Sequence, residues 1–137
     1  MQISNPALPQ IYVAGSATAS LISMDQSSMT LLTAFTSYRK FGILLSGYYG
    51  VKISGKAEAG GTSEYQCLVN GVALTPTKTT TSTTTVELTW NTNLKEGDVV
   101  ELNYLSQTGT HYAYASSCRL AGLIKRTVGT VAAVIIT

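Results

Sequence analysis

Tyr65-Gln66-Cys67-Leu68-Val69-Asn70-Gly71-Val72-Ala73-Leu74 is the stretch that decides the fold. Two apolar segments flank Asn70-Gly71, and both turn positions tolerate positive φ. The stretch predicts a β-hairpin, and with it an antiparallel architecture. Upstream, Tyr49-Gly50-Val51-Lys52-Ile53-Ser54 alternates with period two, which puts Tyr49, Val51 and Ile53 on one face of a strand. Downstream, Leu94-Lys95-Glu96-Gly97-Asp98 reads as a charged turn that opens a strand from Val99 to Leu105.

The same pattern extends outward. Ile11-Tyr12-Val13, Phe41 to Ser46, Leu120 to Val128 and Val131 to Ile136 read as strands. Ala113 to Ser117 reads as a loop or short strand. Met24 to Ser28 reads as a turn, and Met29 to Phe35 as a strand after it. The Thr-rich run from Thr75 to Thr85 reads as a surface loop entering an edge strand, because Val86, Leu88 and Trp90 continue it in period two. Pro6 and Pro9 make residues 1–10 an extended arm, and residues 11–137 form one domain. Closely spaced turn signals without α/β alternation give an all-β sandwich or jelly roll.

Composition agrees and excludes several functions. Only 12% of the 137 residues are charged, about half the usual ~25%. The polar surface is made of hydroxyls instead, from 20 Thr and 14 Ser. A net charge of +2 is too small to steer nucleic acid. The uncharged stretches at both ends are too short or too interrupted for a membrane span, which needs ~20 mostly apolar residues. The start lacks the basic region of a signal peptide, so a soluble chain without membrane insertion is expected. One His and seven scattered carboxylates offer little material for catalysis, and no catalytic residue, metal site or cofactor is assigned.

Four segments in order resemble one known family. They are Ser46-Gly47-Tyr48-Tyr49-Gly50-Val51, Leu68-Val69-Asn70-Gly71, Leu94 to Leu102, and Leu120-Ala121-Gly122-Leu123-Ile124. Together they resemble the tumour-necrosis-factor and complement globular-head domains over residues 44–125. Leu120 and Val51 depart from that family's aromatics, and the first 40 residues match poorly. The resemblance implies a ten-stranded antiparallel jelly roll that forms homotrimers and acts by binding. A trimer axis would draw on Tyr49, Val51, Ile53, Leu102 and Tyr104. With low charge and no export signal, the expected role is a virion structural or attachment knob. It would contact capsid proteins or a host receptor or glycan, and a hot-spring archaeal virus is the expected source. The alternative is a monomeric or dimeric β-sandwich adhesin that binds carbohydrate.

For that alternative, His111, Tyr112 and Tyr114 are the candidate loop site, since Tyr combines a packing ring with a bonded hydroxyl. Tyr48 and Tyr65 belong to the same aromatic set. Glu96, Asp98 and Glu101 form the closest acidic group, but strand alternation makes alternate side chains diverge, so a structural turn is favoured over a calcium site. Arg39-Lys40 and Lys125-Arg126 read as solvated strand ends. Cys67 and Cys118 are either a disulfide or two buried thiols, which spacing alone leaves open.

Overall fold

The computed structural model describes residues 12–14, 20–123, 125–127 and 133–136. They form β-strands without a helix. A five-stranded sheet runs in the order β11 (Ala133–Ile135), β3 (Thr36–Ile43), β8 (Val99–Ser106), β5 (Ser63–Val69), β6 (Val72–Thr80). A four-stranded sheet runs β2 (Ser20–Thr30), β9 (Ala113–Leu123), β4 (Gly47–Ala57), β7 (Val86–Leu94). β1 (Tyr12–Ala14) and β10 (Lys125–Thr127) pair as a separate ribbon. Every pairing is antiparallel. Apart from the β5–β6 hairpin, successive strands from β2 to β9 alternate between the two sheets. This is the expected jelly-roll sandwich, with nine strands in its two main sheets where ten were expected. The proposed arm, residues 1–10, lies outside the described residues.

The deciding hairpin forms as its sequence requires. Asn70 and Gly71 both adopt positive φ, 51° and 81°, which closes β5 onto β6 in two residues. The charged turn is clasped to it. The Asp98 carboxylate accepts from the Lys95 amide (2.8 Å) and from Asn70 Nδ2 (2.9 Å), and Asn70 Oδ1 accepts from the Val99 amide (2.9 Å). These bonds hold the Asp98 carboxyl below its ordinary range, the Lys95 amide contributing most.

The core lies between the sheets. Phe41, Tyr49, Val51, Ile53, Tyr65, Cys67, Val100, Leu102 and Leu120 are fully buried there. Burying each large apolar side chain stabilises the fold by about 1.5–3 kcal/mol. The residues expected at a trimer axis are among them. Tyr49, Val51, Ile53 and Leu102 are 0% exposed and Tyr104 is 2% exposed within one chain, so their apolar faces are already covered. Period two identifies an apolar face but not what covers it, and here the opposite sheet covers it. Cys67 and Cys118 are free thiols, buried in the same core rather than bridged. Burial pushes the two thiols up to about 12 and about 11 respectively.

Three segments differ from expectation. Met24 to Ser28 is no turn; it lies inside β2, where the register slips between Asp25 and Ser28. The polar residues there mark a bulge. Met29 and Thr30 end that strand, and residues 31–35 form the turn instead. Half of the Thr-rich run, Thr75 to Thr80, is already strand β6 at the edge of its sheet. Branched Thr side chains favour extended backbone while their hydroxyls face water.

At one end of the sandwich the loops 31–35, 58–62, 81–85 and 107–112 are tied together. Ser106 N donates to Leu32 O (2.8 Å), Gln107 N to Thr62 O (3.0 Å), Ala57 N to Ser82 O (2.7 Å) and Glu58 N to Tyr112 O (3.1 Å). Among the described residues no buried side-chain polar atom lacks a partner.

Candidate functional site

The candidate site lies near this end, on the outer face of the four-stranded sheet. In β9 the inward positions are Ala113 and Ala115, then Cys118 and Leu120, so the alternation slips by one at Ser116-Ser117. The pairings show the same slip. Ser54 pairs with Ser117 and Gly55 with Ala115, which leaves Ser116 unpaired in the β4 ladder. β2 slips opposite the same point. Two neighbouring ladders thus break around one residue of a central strand, where a bulge bends the sheet locally.

A groove of about 490 Å³ opens over this bulge. Three cross-strand partners form a row along it: Met29 on β2 pairs with Tyr114 on β9, which pairs with Lys56 on β4. Thr85 closes the row, and Ser27, Ser28, Ala115 and Ser116 complete the lining. The Lys56 ammonium lies over the Tyr114 ring, 5.1 Å from its centroid. Tyr112 flanks Tyr114, with centroids 6.2 Å apart and planes tilted by 47°. The groove therefore has an aromatic and thioether wall, one cation and several hydroxyls.

The interior holds this row in place. The Tyr65 hydroxyl donates to the Tyr114 main-chain carbonyl and also reaches the Lys56 carbonyl (3.4 Å). Ser63 Oγ donates to the Lys56 carbonyl as well (2.9 Å). Gly55 makes these bonds possible, because a Cβ there would overlap both the Tyr65 hydroxyl and the Tyr114 carbonyl. Burial pushes the Tyr65 phenol up to about 12, so it remains a donor well into the alkaline range.

The three loop candidates separate. Tyr112 and Tyr114 come together, Tyr112 exposed and Tyr114 half-buried. His111 does not line the groove. It packs on Gly60-Gly61, and its Nδ1 bonds the Thr110 (3.0 Å) and Thr108 (3.3 Å) hydroxyls. The sequence reading missed Lys56, Met29, Thr85 and the serines. The available signal was the slipped alternation at Ser116-Ser117.

Charged side chains elsewhere on the described strands find partners within the chain, as two clusters illustrate. Glu87 binds Arg119 through both carboxylate oxygens (2.8 and 2.9 Å), and Lys52 stands 3.8 Å away. Arg39 lies on the Tyr38 ring (5.1 Å) and donates to the Tyr38 carbonyl. Among the described residues no three of His, Cys, Asp and Glu gather as a metal site. Nor is any helix there long and apolar enough to cross a membrane.

Comparison with known proteins finds no matching protein-family model and no matching curated protein. Solved structures do match. The fold is similar to the CBM36-1 domain of a multidomain xylanase from the hindgut metagenome of Trinervitermes trinervoides, at a TM-score of 0.54 and 12% identity over 83% of this chain and 99% of that one. It is similar to the carbohydrate-binding module CBM36 in complex with calcium and xylotriose (TM-score 0.52, 17% identity, 81% and 99% coverage). It is also similar to the C-terminal domain of EclA, a sugar-binding protein (TM-score 0.51, 11% identity, 88% and 89% coverage). At these identities the likeness is one of fold.

These findings correct the leading expectation from sequence. The jelly roll stands, but the homotrimeric virion knob does not, and the comparisons give no support to an archaeal-virus source. Two of the neighbours named above are carbohydrate-binding modules, and the residues set aside for a trimer axis are core. The alternative, a carbohydrate-binding β-sandwich, fits these neighbours better.

Proposed function

We propose that this chain is a carbohydrate-binding module, and that its sugar site is the groove over the Ser116 bulge. One observation carries the reading: the Met29–Tyr114–Lys56 row above a cavity of about 490 Å³. That volume falls within the range of ~300–1,000 Å³ typical of small-molecule sites. A sugar ring presents apolar C–H faces and a rim of hydroxyls. Tyr114, Tyr112 and the Met29 thioether match the faces; Ser27, Ser116, Thr85 and Lys56 match the rim. The neighbours named for carbohydrate binding support the reading. The module acts by holding glycan, without bond cleavage. The low charge and abundant hydroxyls suit a surface that meets a hydrated, hydroxyl-rich polymer.

The test is affinity electrophoresis against a panel of soluble plant, algal and bacterial polysaccharides. At least one should retard the wild-type chain. Tyr114→Ala should weaken that retention at least about tenfold, a typical loss for a central aromatic anchor. The variant keeps its main-chain carbonyl and hence the Tyr65 bond, so the fold should persist. Tyr48→Ala, at the other end of the same face, serves as the control. No retention on any polymer, or equal retention by Tyr114→Ala, would overturn the reading.

A further inference from the structure

We infer that the groove selects glycans that carry an anionic group, a uronic-acid carboxylate or a sulfate ester, and that Lys56 is the selecting residue. The inference rests on the glycan reading above. Lys56 is half-buried at the groove, and among the described residues it makes no ion pair. Two carboxylates on flanking segments have other partners. Both oxygens of Glu87 bond Arg119, and Glu58 Oε2 accepts from the Tyr112 amide (2.6 Å). Its partner is the Tyr114 ring, which attracts a cation more weakly than an anion does. A half-buried ammonium without a counter-ion carries a desolvation cost that an anionic ligand would offset.

The geometry supports the same assignment. Lys56 and Tyr114 are register partners, and Ser63 and Tyr65 fix both main chains from the core side. The Lys56 stem thus leaves a fixed backbone, and its ammonium lies over the Tyr114 ring, 5.1 Å from the centroid. A sugar lying along Tyr114 would bring a ring substituent to it. Overall net charge is only +2, so a preference for anions would come from this local cation rather than from the field of the whole chain.

Matched polymers test the inference. Polygalacturonate is compared with its carboxyl-reduced form, and dextran sulfate with dextran, by titration calorimetry at fixed ionic strength; polyglutamate is the anion without sugar. At least one anionic polysaccharide should bind about tenfold or more tighter than its neutral counterpart, and the pair that shows this identifies carboxylate or sulfate. Lys56→Gln should level the ratio to within about threefold. Lys56→Met, which keeps an unbranched stem on the Tyr114 ring, should do the same and provides a second variant. Equal wild-type binding to both members of each pair, or a preference that survives both substitutions, overturns the inference and leaves the glycan reading standing. Polyglutamate bound as tightly as the anionic glycan overturns it too, as plain charge attraction. Failure of every polysaccharide overturns the glycan reading itself.

Discussion

The Tyr65 hydroxyl donates to the main-chain carbonyl of Tyr114, from β5 of one sheet to β9 of the other. A core residue thereby fixes the backbone beneath an outward-facing ring. The bond passes through space that Gly55 leaves empty.

Gly55→Ala should accordingly be among the most damaging small substitutions in the chain. Its Cβ would collide with one hydroxyl and one main-chain carbonyl, neither a flexible side-chain end. The expected loss is more than about 2 kcal/mol, measured by urea denaturation. Tyr65→Phe removes only the donor and should cost about 1–2 kcal/mol, since it leaves a buried carbonyl short of a partner. A Gly55→Ala chain as stable as wild type would refute this account.

Alkaline pH should destabilise the fold. Burial pushes Tyr38 and Tyr65 from 10.0 up to about 12, Cys67 from 9.0 to about 12 and Cys118 from 9.0 to about 11. Each group thus keeps its proton in the folded state at a pH where the unfolded chain has released it. By linkage this contribution is complete below about pH 9 and falls as pH rises toward 12. Urea midpoints should decline through that window, and Tyr65→Phe should flatten the part above pH 10. A midpoint constant from pH 8 to pH 11 would contradict the shifts.

The two cysteines should titrate as thiols. In denaturant a thiol-specific reagent should find both, whereas the native chain should react slowly, because Cys67 is 0% and Cys118 2% exposed. Adding a reductant should not move the melting temperature. A shift on reduction would point to a bridge.

Leu102→Ala should cost about 2–5 kcal/mol, the usual penalty for truncating a fully buried Leu. The loss should be the same at every protein concentration, as expected for a residue packed within one chain. A penalty that shrinks as concentration rises would return Leu102 to an interface between copies.

Much of the fold is legible in the sequence because local rules decide it. Asn70-Gly71 makes a hairpin since both residues tolerate positive φ. Tyr49, Val51 and Ile53 share a face since side chains alternate along a strand. The same rules misread Met24 to Ser28, where residues that usually turn a chain instead bulge a strand. Whether such a segment turns or bulges depends on the neighbouring strand, which lies some ninety residues later at Ala115 to Cys118. Tyr112 and Tyr114 could be picked out because Tyr combines a packing ring with a hydroxyl that stays bonded. Lys56 could not, since a lone lysine in a strand sequence has many ordinary explanations.

The sequence by itself determined an all-β chain, its hairpin, its apolar faces and its scarcity of charge. Each follows from backbone sterics or from residue type, which act over a few positions. Only the tertiary structure decided that the face of Tyr49 and Leu102 belongs to the core, that the cysteines stay apart as thiols, and that Met29, Tyr114 and Lys56 form one row above a groove. Those outcomes depend on which strands become neighbours and where their register slips, and that is fixed by contacts between residues far apart in the chain.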